Sequence, residues 1–275
     1  MVSPSWMYDA IIYIYALSLL FYFSDFIGAN RSAKRMGTGL LVFVWVLQTA
    51  YLGLSVYNHV DRAYAMSETL FLFSWLLVTV SLIINRFFRI ELFVFLVNVV
   101  GFSVLALNIF SNPRVTPMLG RWEVSDELLF IHITLAVGSY AAFVIAAVFS
   151  GMYLFLHRQL KEKHWSVTMK RLPSLEKTDR YAYRAVIAGT PLLITALSLG
   201  LIWVVLQGSA EQLGDLKVLN SLLVLVGYLY YLFLRLSVKA NGRRLAIWNL
   251  YAFGVVLLNF IFTNWLSGFH QWVWM

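Results

Sequence analysis

Residues 128–156 read LLFIHITLAVGSYAAFVIAAVFSGMYLFL, a run with no Asp, Glu, Lys or Arg in it. A membrane-spanning helix needs about 20 consecutive, mostly apolar residues, so this stretch is long enough to cross a bilayer and too uniformly apolar for a helix half in water. Along it Gly138, Ala142, Ala146 and Ser150 recur every four residues. Such a ridge of small side chains lets a second helix approach closely, which predicts a central helix. Near its start stands one group with chemistry of its own, His132.

Outward from this run, similar apolar segments lie near 8–28, 38–57, 66–84, 92–110, 185–206, 218–238 and 245–266. The pattern predicts an all-α, polytopic membrane protein of about eight transmembrane helices. It reads as a single membrane domain over 1–275, with 1–127 forming the first four helices and an outer loop, and 128–275 forming a helical core. The composition agrees: 61% of the residues are hydrophobic and 12% are charged, against roughly 45–50% and about 25% in soluble domains. A soluble fold is excluded, and the connections are too short for a separate soluble domain. There is no cysteine, which excludes thiolate metal sites, thiol redox chemistry and disulfides. The opening MVSPSWMYD has no Lys or Arg, so the first apolar run reads as a retained helix and not as a cleaved signal peptide.

A net charge of +8 raises the question of nucleic acid, but the cations are confined to alternate loops. Arg31, Lys34, Arg35, Arg86, Arg89, the eight from Arg158 to Arg184, Arg235, Lys239, Arg243 and Arg244 make seventeen on one side; Arg62, Arg114, Arg121 and Lys217 are on the other. The positive-inside rule then predicts both termini outside, and no nucleic-acid partner is expected. The longest inner loop, 157–184 (HRQLKEKHWSVTMKRLPSLEKTDRYAYR), reads as a basic anchor on anionic headgroups of the lipid bilayer. Docking of a cytoplasmic or membrane partner is its second reading.

Ionisable groups deep in a membrane mark transport paths and proton relays. None is central here: Asp25 is near the inner end of the first helix and Glu68 near the outer end of the third. This argues against a proton-coupled transporter or a channel. Asn98, Asn108, Asn249 and Asn259 read as hydrogen bonds between helices.

Topology also sorts the histidines. His157 and His164 fall in the inner loop, whereas His59, His132 and His270 fall at the outer face, His270 within SGFHQWVWM. Two imidazoles from different helices can ligate a haem iron from either side, with aromatic residues against the porphyrin. Interfacial histidines need no ligand, however, and Trp122, Trp272 and Trp274 also suit the aromatic belt of a membrane surface. The residues alone leave both readings open.

Two segments favour the ligand reading, and two more carry the same resemblance. The run HITLAVGSYAAFVIAAVFSGMYL, 132–154, resembles the helix that opens the core of the CcsA-type cytochrome c assembly proteins, with its histidine at His132 and its Tyr-Ala pair at Tyr140 and Ala141. NLYAFGVVLLNFIFTNWLSGFHQW, 249–272, resembles that family's last helix, and His270 takes the place of its histidine. Between them YRAVIAGTPLLITALSLGLIW, 183–203, is similar to the family's helix with a Gly-x-Pro-Leu turn and a terminal Gly-x-x-Trp, through Gly189, Pro191, Gly200 and Trp203. YLYYLFLRLSVKANGRR, 228–244, looks like the helix that follows.

The resemblance, over roughly 128–272, implies haem as cofactor, in the form of haem b with two histidine ligands. His132 and His270 are the implied iron ligands. Tyr140, Trp122, Trp203 and Trp272 are implied contacts of the porphyrin. His59, outside the resemblance but near the outer end of the second helix, is a candidate for an alternative ligand or an entry contact, and its role stays open. Two departures separate this chain from the family's synthases. Their tryptophan-rich loop is replaced by VVLQGSAEQLGDLKVLN at 204–220, and their internal histidine by Phe233 in YLFLR, 231–235. Small eight-helix members of the superfamily keep the outer histidines and lack the tryptophan-rich loop. Similarity to them implies a non-enzymatic, haem- or porphyrin-binding protein of the bacterial plasma membrane, linked to early tetrapyrrole synthesis and holding down the amount of glutamyl-tRNA reductase. The alternatives are haem delivery for cytochrome c assembly and haem export.

Overall fold

A computed structural model describes residues 5–28, 30–58, 66–88, 90–107, 124–163, 172–206 and 214–266. Among these residues the regular structure is helical: α1 (Ser5–Gly28), α2 (Arg31–Asn58), α3 (Met66–Phe88), α4 (Glu91–Leu107), α5 (Val124–Lys161), α6 (Leu175–Leu206), α7 (Leu216–Leu236) and α8 (Gly242–Leu266). Six of them, α1, α2, α3, α5, α6 and α7, are long and apolar enough to cross a membrane; α4 is a shorter apolar helix. The chain is therefore an all-α polytopic membrane protein, as its apolar runs predict. It divides into two compact units, 1–121 and 122–275.

The helices outrun the apolar segments because polar caps extend them. α2 begins at Arg31 and not near 38: the side chain of Asn30 accepts the N–H groups of Ser32 (3.0 Å) and Ala33 (3.3 Å), satisfying donors that an uncapped first turn would leave open. Ser174 does the same for α6, accepting Lys177 N–H at 3.4 Å, and Asn241 for α8, accepting Arg244 N–H at 2.9 Å. The inner loop expected over 157–184 is shortened accordingly. α5 continues to Lys161 and α6 starts at Leu175, so half of that basic segment is helix. Pro191 lies inside α6, and the expected Gly-x-Pro-Leu turn is a continuous stretch of helix.

In the first unit, α1 packs on α2 and α4, and α3 on α2 and α4. Polar side chains inside it are paired between helices. The Tyr15 hydroxyl of α1 donates to Asn98 Oδ1 of α4 at 2.8 Å, and Asn98 Nδ2 donates to Ser81 of α3 at 2.7 Å. Trp45 donates to Thr79 at 2.9 Å, Gln48 to Ser74 at 3.3 Å, and Lys34 pairs with Glu91.

In the second unit, α5 and α6 form the most extensive pair, with α8 on α5 and α7 between α6 and α8. Residues Gly189, Leu193, Ala196, Gly200 and Trp203 recur at three- and four-residue steps, which puts them on one stripe of α6. That stripe meets α5 in an antiparallel register: His132 lies at Ala196 and Gly200, and Gly138 at Leu192. Phe143 lies at Gly189 and Phe149 at Tyr181. The small-residue ridge of α5 serves both neighbours. Ala142 touches the Gly189 position, and Ser150 accepts a bond from Asn249 Nδ2 of α8 at 2.8 Å.

Candidate functional site

His132 is eight residues into α5, about 12 Å from the start of the helix at 1.5 Å per residue. Its Nδ1 lies 2.6 Å from the main-chain oxygen of Ala196 on α6. A carbonyl can only accept, so Nδ1 carries a proton, and in the neutral ring the lone pair is then on Nε2. The ring is half-buried and rests against Gly200: a Cβ there would come within 2.7 Å of the imidazole Cε1 and 2.8 Å of Nδ1. Trp203, on the same stripe of α6, is buried. The structure therefore brings His132 and Trp203, implied together by the resemblance, to one end of the α5–α6 pair.

Tyr140 belongs to a different contact. It is two turns further along α5, and its hydroxyl accepts Asn259 Nδ2 of α8 at 3.1 Å, while the same amide nitrogen donates to Ser221 of α7 at 3.2 Å. Tyr140 thus ties α5 to α7 and α8, on the α8 side of the helix and not the α6 side. Asn98, Asn249 and Asn259 all make the interhelical hydrogen bonds expected of them.

His270, His59, Trp122 and Trp272 lie outside the described residues, as do His164 and Asn108. Phe233, where the synthases keep an internal histidine, is 52% exposed on α7, so in this unit that position faces away from the helix contacts. Among the described residues no three His, Asp or Glu side chains converge as a metal-binding group.

Two participants have no signature in residue type. The Ala196 carbonyl is main chain, and the Ser221–Asn259 pair holding Tyr140 joins residues 38 positions apart. The one available signal for the first is the stripe through 189, 193, 196, 200 and 203, in which Gly200 leaves a gap one turn after Ala196.

A multi-pass helical membrane protein with a carbonyl-anchored histidine between two antiparallel helices is the class these features define. The sequence pattern of the family described as Cytochrome C assembly protein matches residues 63–270. The chain belongs to that family. It is 43% identical over 278 residues to Protein HemX of Brevibacillus brevis, covering 99% of this chain and 100% of the relative. It is 39% identical over 265 residues to Protein HemX of Bacillus subtilis (strain 168), 95% of each. A more distant relative is the Cytochrome c biogenesis protein CcsA of Mesostigma viride, 24% identical over 243 residues and 76% of each chain.

Proposed function

We propose that this chain is a non-enzymatic, haem-binding protein of the bacterial plasma membrane, in which His132 and His270 would hold the iron of haem b. One observation carries the reading: the Nδ1–H of His132 is committed to the Ala196 carbonyl at 2.6 Å, which in the neutral ring puts the lone pair on Nε2. Metal-bound histidines almost always donate their other ring N–H in this way, to a carbonyl or carboxylate that orients the ring and raises its basicity. His132 therefore fits the role of an iron ligand, and Trp203 is on the α6 stripe beside it. When bound, haem would supply a coloured, redox-active iron centre; the chain's own part is to present His132 in one tautomer and one orientation.

Similarity to HemX proteins over nearly the whole chain supports a place in the control of tetrapyrrole synthesis, through the amount of glutamyl-tRNA reductase, in preference to haem attachment. The replacement of the tryptophan-rich loop by residues 204–220 supports the same choice.

The test is the absorption spectrum of detergent-purified protein with added haem, for the native chain, His132→Ala and His270→Ala. A sharp reduced spectrum of a bis-histidine haem in the native chain, weakened or reshaped in both variants, is expected. Spectra unchanged in both variants would sink the assignment of ligands. Absence of any haem uptake by folded native protein would sink haem binding itself.

A further inference from the structure

The orientation of His132 is set by α6, and the features that set it are specific. Within a helix the carbonyl of residue 196 accepts the N–H of residue 200, four positions on. A carbonyl oxygen has two lone pairs, and the second one here receives His132 Nδ1–H. In most helices that second lone pair is screened, because every Cα–Cβ bond tilts toward the helix N-terminus, so the side chain one turn on leans back over the carbonyl. At residue 200 there is no side chain. The imidazole occupies that space, with Cε1, Nδ1 and Nε2 at 2.7, 2.8 and 3.4 Å from where a Cβ would be.

We infer that Gly200 and the carbonyl of Ala196 form a built seat for the His132 imidazole, which fixes the Nδ1–H tautomer before any ligand arrives. Gly200 is thus a positioning residue, which acts through the histidine. That the seated ring then ligates iron rests on the haem-binding reading above; the seat itself does not.

The seat explains why this glycine is not merely a packing position. Gly138, across the same helix pair, would bring a Cβ to 3.6 Å from Leu192, an ordinary contact, so an alanine there fits. An alanine at 200 does not fit with the ring in place. The group that must yield is the end of a side chain and not a helix backbone, so Gly200→Ala expels the imidazole and leaves the α5–α6 pairing intact.

The experiment is nitrogen NMR of histidine-labelled, haem-free protein in detergent, with the His132 signals identified by their loss in His132→Ala. In the native chain Nδ1 should be the protonated, pyrrole-type nitrogen and Nε2 the pyridine-type one, at full population. In Gly200→Ala the two forms should mix as in a solvated histidine, whereas Gly138→Ala should keep the native pattern. Haem affinity of Gly200→Ala should fall about 10- to 100-fold, the usual cost of losing a partner that orients a ligand. A protonated Nε2 in the native chain would overturn the inference, and so would a native pattern retained in Gly200→Ala. The native chain's own signals decide the tautomer even if the variant fails to fold. The expected tautomer together with a haem spectrum indifferent to His132→Ala would sustain the seat and remove the ligand assignment, so the two failures are told apart.

Discussion

The rings of Phe143 and Tyr228 lie face to face, with centroids 3.6 Å apart and planes 6° from parallel, and both side chains are fully buried. They join α5 to α7, and the Phe143 ring also occupies the space over Gly189 of α6. One aromatic side chain therefore bonds three helices. Phe143→Ala should destabilise the detergent-solubilised protein by about 3–5 kcal/mol, the range for truncating a buried phenylalanine, read as the shift in thermal unfolding.

Tyr228 offers the opposite outcome. Its hydroxyl is buried with no hydrogen-bond partner among the described residues, and an unsatisfied buried hydroxyl costs about 1–3 kcal/mol. Tyr228→Phe keeps the stack and removes the cost, so the variant should unfold at a higher temperature. A lower unfolding temperature would mean that the hydroxyl has a partner.

Gly189 and Gly138 form a matched pair on the two facing helices. A Cβ at 189 would meet Phe143 Cε1 at 2.8 Å and the Ala142 Cβ at 3.1 Å; alanine at 189 should therefore destabilise by about 1–3 kcal/mol, the cost of overpacking. Alanine at 138 meets only an ordinary contact and gains up to about 1 kcal/mol of helix propensity. Opposite signs in thermal unfolding are expected; equal signs would mean that the α5–α6 contact is looser than the ring positions require.

At the basic end of the second unit, Arg235 of α7 holds Asp179 of α6 at 2.6–2.7 Å, with its guanidinium 4.8 Å from the centre of the Tyr183 ring. Both side chains are less than a quarter exposed. Arg235→Lys keeps the charge but loses the planar fork and its stacking, so it should recover only part of the stability lost in Arg235→Ala. A lysine variant as stable as the native chain would show that charge alone matters there.

Asn98 is the hub of the first unit, accepting from Tyr15 and donating to Ser81 and to the Val94 carbonyl. Asn98→Leu removes the acceptor of the Tyr15 hydroxyl and leaves it its bond with Ser74, at about 1–2 kcal/mol. Tyr15→Phe should cost less in that background than in the native chain, whereas additive losses in the double variant would mean that the two side chains do not share a bond.

The helices are legible in the sequence because apolar runs report which residues are able to live in hydrocarbon. Their ends are not, because Asn30, Ser174 and Asn241 cap helices in polar segments where hydropathy has no information. His132 is legible as a residue type at an outer-face position, and the small-residue ridge through Gly138 and Ser150 as a packing surface. What the ring bonds to is not, since the Ala196 carbonyl has no letter of its own and is exposed to His132 only by the missing side chain of Gly200. Tyr140 stands beside His132 in the sequence resemblance, yet it serves Asn259: eight residues along a helix turn a side chain by about 80° from its predecessor, enough to change which neighbour it meets.

The length of α5 has a mechanical meaning. From His132 to His157 is 25 residues of unbroken helix, a rod of about 38 Å that is longer than the roughly 30 Å hydrocarbon layer. The small-residue ridge, Gly138 to Ser150, lies midway along that rod. A tilt of about 5° about the ridge would move each end by about 1.6 Å in opposite directions, so a displacement beside the imidazole would reach the far end of the helix reversed in sign and undiminished.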